Sequence, residues 1–341
     1  MNSDKHILIT GSTGLIGSHI VLELIKHSCK MSLLCRNISS AELELKQIFS
    51  WYNLDFSSYA DRITILKGDL LDLGSIEDAM KGVNYVIHAA AMVSTKKSDR
   101  DMMLKVNAEG TANLVNIANM VGVKKFIHLS SVSTLGRNPD GLIDEDYFFK
   151  PDPSTSAYAI SKYASEQEVW RSVEEGLSAI IFNPSFVIGP SLRKNSSASI
   201  YYAVRDGLPA YVEGRSGYVS AQDVAKACVL SLDAELKPER FILSAKNMNT
   251  LDFLTIISSS LKKAPPKRKL KRVWFPVVIL LSKLNAMINK EAVSLSKDSL
   301  RMASNKNSFD GSRVTNKLSK FTYSNIEVSI QNTADIILNF S

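Results

Sequence analysis

The stretch SAYAISKYASE holds Tyr158 and Lys162 four residues apart. On a helix that spacing puts a phenol and an ammonium on one side, where the ammonium lowers the phenol pKa and holds it as a poised proton donor. Upstream, FIHLSSVSTLG supplies hydroxyls at Ser130, Ser131 and Ser133. A hydroxyl at a strand end can orient a carbonyl oxygen, or it can simply cap exposed backbone groups. Near the start, HILITGSTGLIGSHIVLELI places Gly11, Gly14 and Gly17 where an apolar run gives way to a helical pattern. The free N–H groups of a helix N-terminus receive a phosphate, and glycines allow the turn, the close backbone approach and the helix–strand packing this requires. These residue types point to a dinucleotide pyrophosphate held near a general acid.

Positioning those groups calls for strands that end at one edge. Strand-length apolar runs at residues 6–10, 31–35, 63–68, 85–89, 126–130 and 179–183 alternate with helical patterns at 15–26, 100–121 and 158–175. That alternation predicts a parallel sheet covered by helices, and strands rich in Val, Ile and Leu with little polar alternation are those buried on both faces. The fold class is therefore α/β, a Rossmann-type doubly wound parallel sheet with a smaller C-terminal domain for substrate. After Pro184 the rhythm breaks, then resumes with a helix at 221–232 and a strand near 240–244. The expected division is a nucleotide-binding domain over residues 1–183, with 218–246 returning to it, and a mainly substrate-binding domain over 184–341.

Composition narrows the function further. Of 341 residues, 45% are apolar and 22% charged, as in ordinary globular proteins. The net charge of +7 is a small surplus that does not call for nucleic acid, and none is expected as a partner. Cys29, Cys35 and Cys228 are scattered without a CxxC pair, so neither a disulfide framework nor a zinc site is indicated, and no metal is expected. The polar start runs directly into the first apolar run, leaving no room for a signal-peptide core, and no span approaches the roughly 20 apolar residues a bilayer crossing needs. A cytoplasmic location is the expectation.

The TGxxGxxG spacing, the YxxxK pair and their places along the chain resemble the extended short-chain dehydrogenase/reductases of the NAD-dependent epimerase/dehydratase family. Within it, FNPSFVIGP is similar to the dihydroflavonol reductase and 3β-hydroxysteroid dehydrogenase groups. The resemblance implies a cofactor site of Gly11, Thr13, Gly14, Leu15, Ile16 and Gly17, with Asp69 and Leu70 flanking adenine. Ala89, Ala90 and Ala91 would pass beneath ribose and pyrophosphate, and Tyr158, Lys162 and Pro184 would also contact the cofactor. Counting back from Gly136, as in the related SSxxxxG pattern, selects Ser131 for the substrate carbonyl, with Ser133 the alternative. LLCRN ends the second strand in Arg36, which can pair with a 2′-phosphate, so NADP(H) is favoured and NAD(H) is the alternative; an ordinary surface charge is the plainer reading.

Sugar-nucleotide epimerases usually carry RPxNVYGP where this chain has Asn183 for the Arg and Phe186 for the Asn. A phenyl ring in place of an amide favours an apolar or aromatic-tolerant carbonyl substrate. Asn107 matches a family Asn, as structural support or proton relay, and Asp223 reads as a helix cap. The leading function is NADP(H)-dependent reduction of a ketone or aldehyde through Ser131, Tyr158 and Lys162. The alternatives are a sugar-nucleotide epimerase or dehydratase with retained NAD, and a non-catalytic NADP-sensing protein, against which the Tyr-Lys pair argues. The partner is a small carbonyl or alcohol substrate, and a homodimer is left open. Seven Lys or Arg lie within residues 262–272, followed by an apolar stretch interrupted by Pro276. A solvated loop leading to a helix that roofs the substrate cleft is the preferred reading of 262–284, with contact to an anionic membrane surface as the alternative.

Overall fold

The computed structural model describes residues 4–340 except 137, 139–140, 154, 194–195 and 289–295. The N-terminal half runs β1 (His6–Thr10), α1 (Leu15–Leu24), β2 (Lys30–Cys35), α2 (Ile38–Ser50), β3 (Ile63–Lys67), α3 (Leu73–Ala79) and β4 (Tyr85–His88). It continues through α4 (Arg100–Leu104), α5 (Gly110–Met120), β5 (Lys125–Leu129), β6 (Leu142–Ile143), α6 (Ala157–Glu174) and β7 (Ala179–Pro184). Then follow β8 (Phe186–Ile188), α7 (Ser199–Arg205), β9 (Ala210–Tyr211), β10 (Arg215–Ser220), α8 (Ala221–Asp233), β11 (Glu239–Leu243), β12 (Lys246–Asn249) and α9 (Thr250–Ser260). The chain closes with β13 (Arg268–Lys269), α10 (Phe275–Ile288), α11 (Lys297–Ala303), β14 (Ser308–Phe309), α12 (Ser312–Lys317) and α13 (Ile326–Phe340).

Seven strands form one parallel sheet in the order β11-β7-β5-β4-β1-β2-β3. Side chains alternate between two cores because successive residues of a strand face opposite ways. Ile7 and Ile9 of β1 join the core under α1, α2 and α8, while Leu8 between them joins the core under α3, α5 and α6. The same split separates Ile127 and Leu129 from Phe126, and Phe182 from Ile181. Every residue of β5 and β7 is buried, which is why those runs lack polar alternation.

The strand order reverses between β1 and β4, and crevices at such a reversal, beyond the carboxyl ends of the strands, are where doubly wound sheets bind ligands. A second, smaller core gathers β8, β10, β12, α7, α9 and α13 around Tyr201, Phe253 and Ile330. β11 leaves that region and returns to the large sheet beside β7.

The single helix expected over 100–121 is interrupted. A π-helical turn over Lys105–Glu109 joins α4 to α5. It turns Asn107 inward: its Nδ2 donates to the Met92 carbonyl (3.0 Å) and the Ser161 hydroxyl (2.9 Å), and its Oδ1 accepts from the Met92 N–H (2.7 Å). Single π turns of this kind insert one residue to redirect a side chain. Asp223 also differs from expectation. Ser220 caps α8, accepting from the Asp223 N–H at 2.9 Å, while the Asp223 carboxylate accepts from the N–H and hydroxyl of Ser324 and ties down the C-terminal segment.

Candidate active site

The glycine loop is shaped by backbone contact. Gly11 has φ +71°, a conformation L side chains rarely adopt, and a Cβ there would meet Ala90 N at 2.6 Å. A Cβ on Gly17 would lie 2.0 Å from the Gly11 carbonyl oxygen. Gly14 caps α1 without any side-chain bond to the helix N–H groups, so the N-terminus of α1 keeps donors free for an anion. The loop thus lies directly against residues 89 and 90 beyond β4, joining two parts of the expected cofactor site across the strand reversal. A cradle that any side chain would fill, with uncapped donors at its floor, fits a dinucleotide.

The remaining expected cofactor residues spread along the same edge. Thr13, Leu15 and Ile16 are half-buried on the loop and the first turn of α1, Ala91 is exposed and Pro184 is buried at the end of β7. Leu70 is buried, its carbonyl accepting from Asn113 Nδ2 at 2.9 Å. Asp69 is exposed and its carboxylate accepts from the Leu71 N–H at 2.9 Å. Arg36 is exposed immediately after β2, next to Cys35, whose Sγ lies 3.3 Å from the Ser12 hydroxyl of the glycine loop. A second guanidinium, which sequence reasoning missed, stands at the rim: Arg193 donates to the Thr13 hydroxyl (2.9 Å) and to Glu44 (3.3 Å). No local spacing announces a contact across 180 residues.

At the carboxyl end of β5 the other chemistry gathers. Tyr158 and Lys162 project from α6, whose cap is Ser156. Tyr158 stands beside the Ser131 hydroxyl; burial pushes the phenol's pKa up and that hydroxyl pulls it back. Ser131 also caps a short 3-10 turn, accepting from the Ser133 N–H at 3.2 Å. Ser130 and Ser133 have hydroxyls without a hydrogen-bond partner among the described residues. The structure therefore sets Ser131, rather than Ser133, beside the phenol.

Residues 7–243 match the family described as the NAD dependent epimerase/dehydratase family. The chain belongs to that family. It is 30% identical over 243 residues to sterol demethylase protein B of Methylococcus capsulatus, covering 70% of each chain. It is 26% identical over 319 residues to a putative dihydroflavonol 4-reductase of Synechocystis sp., covering 91% of this chain and 88% of that one. The crystal structure of gox2253 superposes with a TM-score of 0.77 at 30% identity over 98% of both chains. UDP-N-acetylglucosamine 4-epimerase from Methanobrevibacter ruminantium, at 22% identity and full coverage of both chains, shares the fold with a TM-score of 0.77. As a member of the epimerase/dehydratase family the protein is an NAD(P)-dependent enzyme of the extended short-chain kind, a reductase or an epimerase/dehydratase, and it binds a nicotinamide cofactor.

In this family member the Tyr-Lys pair stands on buried polar groups. Lys162 is 1% exposed and donates to the Leu129 carbonyl at 2.6 Å; burial pushes its pKa down to about 8, opposed by the nearby Glu166. Two buried imidazoles lie alongside, with ring centroids 5.2 Å apart. Burial and the Lys162 charge hold His88 down to about 3 and His128 well below its usual range, so both are neutral. The Thr111 hydroxyl donates to the Asn107 carbonyl, which leaves it to accept from His88 Nε2 (2.9 Å), while His88 Nδ1 faces the Thr10 hydroxyl (2.7 Å). That chain of bonds assigns the His88 proton to Nε2.

Glu166, fully buried one turn beyond Lys162, accepts from Thr134 Oγ1 (2.8 Å) and Asn183 Nδ2 (2.6 Å). Asn183 Nδ2 also reaches the Ser131 carbonyl at 3.1 Å, so Glu166 and Asn183 brace the segment carrying Ser131. The cation facing Glu166 comes from β11, with Arg240 Nη1 3.7 Å from its Oε2. Sequence reading singled out Asn183 as a departure but missed Glu166 and Arg240. The Lys162-x-x-x-Glu166 spacing was the available signal for the first. Among the described residues no cluster of His, Cys, Asp and Glu could hold a metal, and the three cysteines are free.

Proposed function

We propose that the protein is an NADP(H)-dependent reductase of ketones or aldehydes, with Ser131, Tyr158 and Lys162 as its catalytic residues. The observation that carries this reading is the placing of the Ser131 hydroxyl beside Tyr158, one helical turn from buried Lys162, in a chain whose Phe186 replaces the amide of the sugar-nucleotide enzymes. Phe186 packs against the rings of Tyr218 and Phe253, each at 5.6 Å between centroids, and so offers a substrate an aromatic edge rather than a hydrogen bond. Residues 1–183 with 218–246 hold the cofactor, and 184–341 supply most substrate contacts.

The glycine loop and Lys162 would hold a reduced nicotinamide cofactor, whose chemistry would be hydride donation to the carbonyl carbon. Ser131 donates a hydrogen bond to the carbonyl oxygen and keeps it beside Tyr158. The Tyr158 Oη–H bond breaks as the new alkoxide takes that proton, leaving a phenolate. Lys162, protonated below about pH 8, stabilises that phenolate and donates to the cofactor ribose. Arg36 pairs with the 2′-phosphate, which supports NADPH over NADH.

A second reading, epimerisation or dehydration of a nucleotide sugar with retained NAD, is favoured by the family match over residues 7–243. One experiment separates the two. One portion of the purified protein is denatured to release and identify any bound nucleotide; the native remainder is assayed against a panel of aliphatic and aromatic carbonyls with NADPH or NADH, and against UDP-sugars without added cofactor. Oxidation of added NADPH by a carbonyl is expected. Conversion of a UDP-sugar by protein carrying stoichiometric NAD overturns the reductase reading.

A further inference from the structure

The basic segment ahead of α10 is fixed in place by backbone pairing. β13 pairs in parallel with β9, and the Leu270 N–H donates to the Tyr211 carbonyl at 2.8 Å. A short 3-10 turn over Arg272–Trp274 then leads into α10. All seven basic residues here are exposed: Lys262, Lys263, Lys267, Arg268, Lys269, Lys271 and Arg272. Lys269 is engaged with Glu213 at 2.5 Å, and Arg272 donates to Ser304 at 3.4 Å. No Asp or Glu occurs between residues 262 and 290.

Next to these charges lies apolar surface that the fold does not cover. Val273 is 74% exposed, Trp274 56%, Val277 45% and Leu280 59%. Val277 and Leu280 lie three residues apart on α10 and Val273 lies on the turn leading into it, whereas Phe275 is buried. Met302, on the neighbouring α11, is also exposed.

We propose that residues 262–280, with Met302, dock the protein on an anionic lipid bilayer surface. The lysines and arginines would meet the headgroups, and Val273, Trp274, Val277 and Leu280 would enter the interface between headgroups and acyl chains. A cationic patch beside an apolar face with an indole at its edge is what such an interface accepts. A second copy of the chain is a poor occupant, because a two-fold contact through this patch would set seven cations against seven. A nucleic acid would satisfy the charges but has no use for Val273, Val277 and Leu280. Among the described residues no helix is long and apolar enough to cross a membrane, and the contact proposed is a peripheral one. The proposal stands on this surface alone and is independent of the substrate.

The test is cosedimentation of the full chain with phosphatidylcholine vesicles, with and without about one third phosphatidylserine. Binding to the anionic vesicles only, released by high salt, is expected. Trp274 emission should shift to the blue on binding, and Trp274→Phe should remove that shift. The triple variant Lys267→Gln, Arg268→Gln, Lys271→Gln should bind on the order of a hundredfold more weakly. Cofactor affinity and thermal midpoint, measured in parallel, identify a variant that has lost its fold, and the single change Val277→Asp then repeats the test. The proposal is overturned by equal binding to both vesicle types or no binding to either. It is equally overturned by a preference for RNA over anionic vesicles, or by a dimer in light scattering that Val277→Asp splits.

Discussion

At the glycine loop, space is kept open by the absence of side chains: Gly11 lies against Ala90, Gly17 against Gly11, and the donors offered are backbone N–H groups at the start of α1. At the tyrosine end of the same cleft, the groups offered are side chains, and other side chains from far along the sequence hold them. Ser131 is braced through Asn183 and Glu166, Lys162 donates to a strand carbonyl near two neutral histidines, and Arg240 reaches in from β11. A backbone-built site tolerates almost no substitution but needs few partners. A side-chain-built site can be altered one group at a time, with effects that depend on which group is removed.

The largest effect expected is chemical. Tyr158→Phe removes the proposed proton donor and should lower kcat by roughly 10²- to 10⁴-fold, with cofactor affinity nearly unchanged in a fluorescence titration. Near-normal turnover would take the phenol out of the mechanism and erase the contrast. At the other end, Gly17→Ala drives a Cβ to 2.0 Å from a backbone oxygen, so cofactor binding should fall by roughly a hundredfold or more. Gly14→Ala, whose Cβ would sit 3.2 Å from the same oxygen, should cost far less. Equal losses in the two glycine variants would show that close packing is not what the loop requires.

Arg240→Met tests whether distant bracing matters. It leaves Glu166, fully buried, without its facing cation, and should destabilise the protein by about 1–3 kcal/mol in denaturant unfolding. Adding Glu166→Gln should recover part of that loss, since the amide oxygen can still accept from Thr134 and Asn183. Failure of the double variant to recover would assign the cost to lost Arg240 bonds with the Glu145 and Tyr147 carbonyls instead.

How legible each end was in the sequence follows from the same contrast. The glycine loop, the alternation of strands with helices and the Tyr158–Lys162 pair depend on neighbours within a few residues or on short continuous apolar runs, and spacing alone indicated them. The π turn at Asn107 was not visible, because it is enforced by Met92 and Ser161 across 15 and 54 residues. Arg240 and Arg193 act across still longer separations, and no local pattern distinguishes either from a surface arginine. The helices α2 and α3 went unnamed for another reason: only Ala41, Leu45, Ile48 and Phe49 of the first and Ile76 and Ala79 of the second are buried, which leaves a thin apolar stripe.

Arg36 is the one strongly charged side chain on which the cofactor preference rests, and its exposure limits what it contributes. Arg36→Ala should weaken NADPH binding by roughly tenfold to a hundredfold and NADH binding much less, with the NADPH preference of the wild type shrinking as salt is added. Titration of both nucleotides into both proteins decides it. A wild type that prefers NADH, or equal losses for the two cofactors, would leave Arg36 as a surface charge.

The smallest effect expected comes from Lys162, the one group that belongs to both ends, since it is proposed to serve phenol and ribose together. Burial has lowered its pKa to about 8, so in the free enzyme it carries its charge below that value and loses it above. An anionic dinucleotide binds the charged form better and should therefore raise that pKa on binding. Linkage gives the sign: affinity is full below about pH 8 and declines as pH rises through it, by several-fold over the next unit. The buried neutral histidines cannot produce this trend, because His88 stays uncharged at any pH above about 3. Lys162→Met should bind more weakly at neutral pH and show no such decline between pH 7 and about 9.5. If the wild-type affinity is flat over that range, Lys162 does not touch the cofactor, and the two ends of the cleft are coupled through the strands alone.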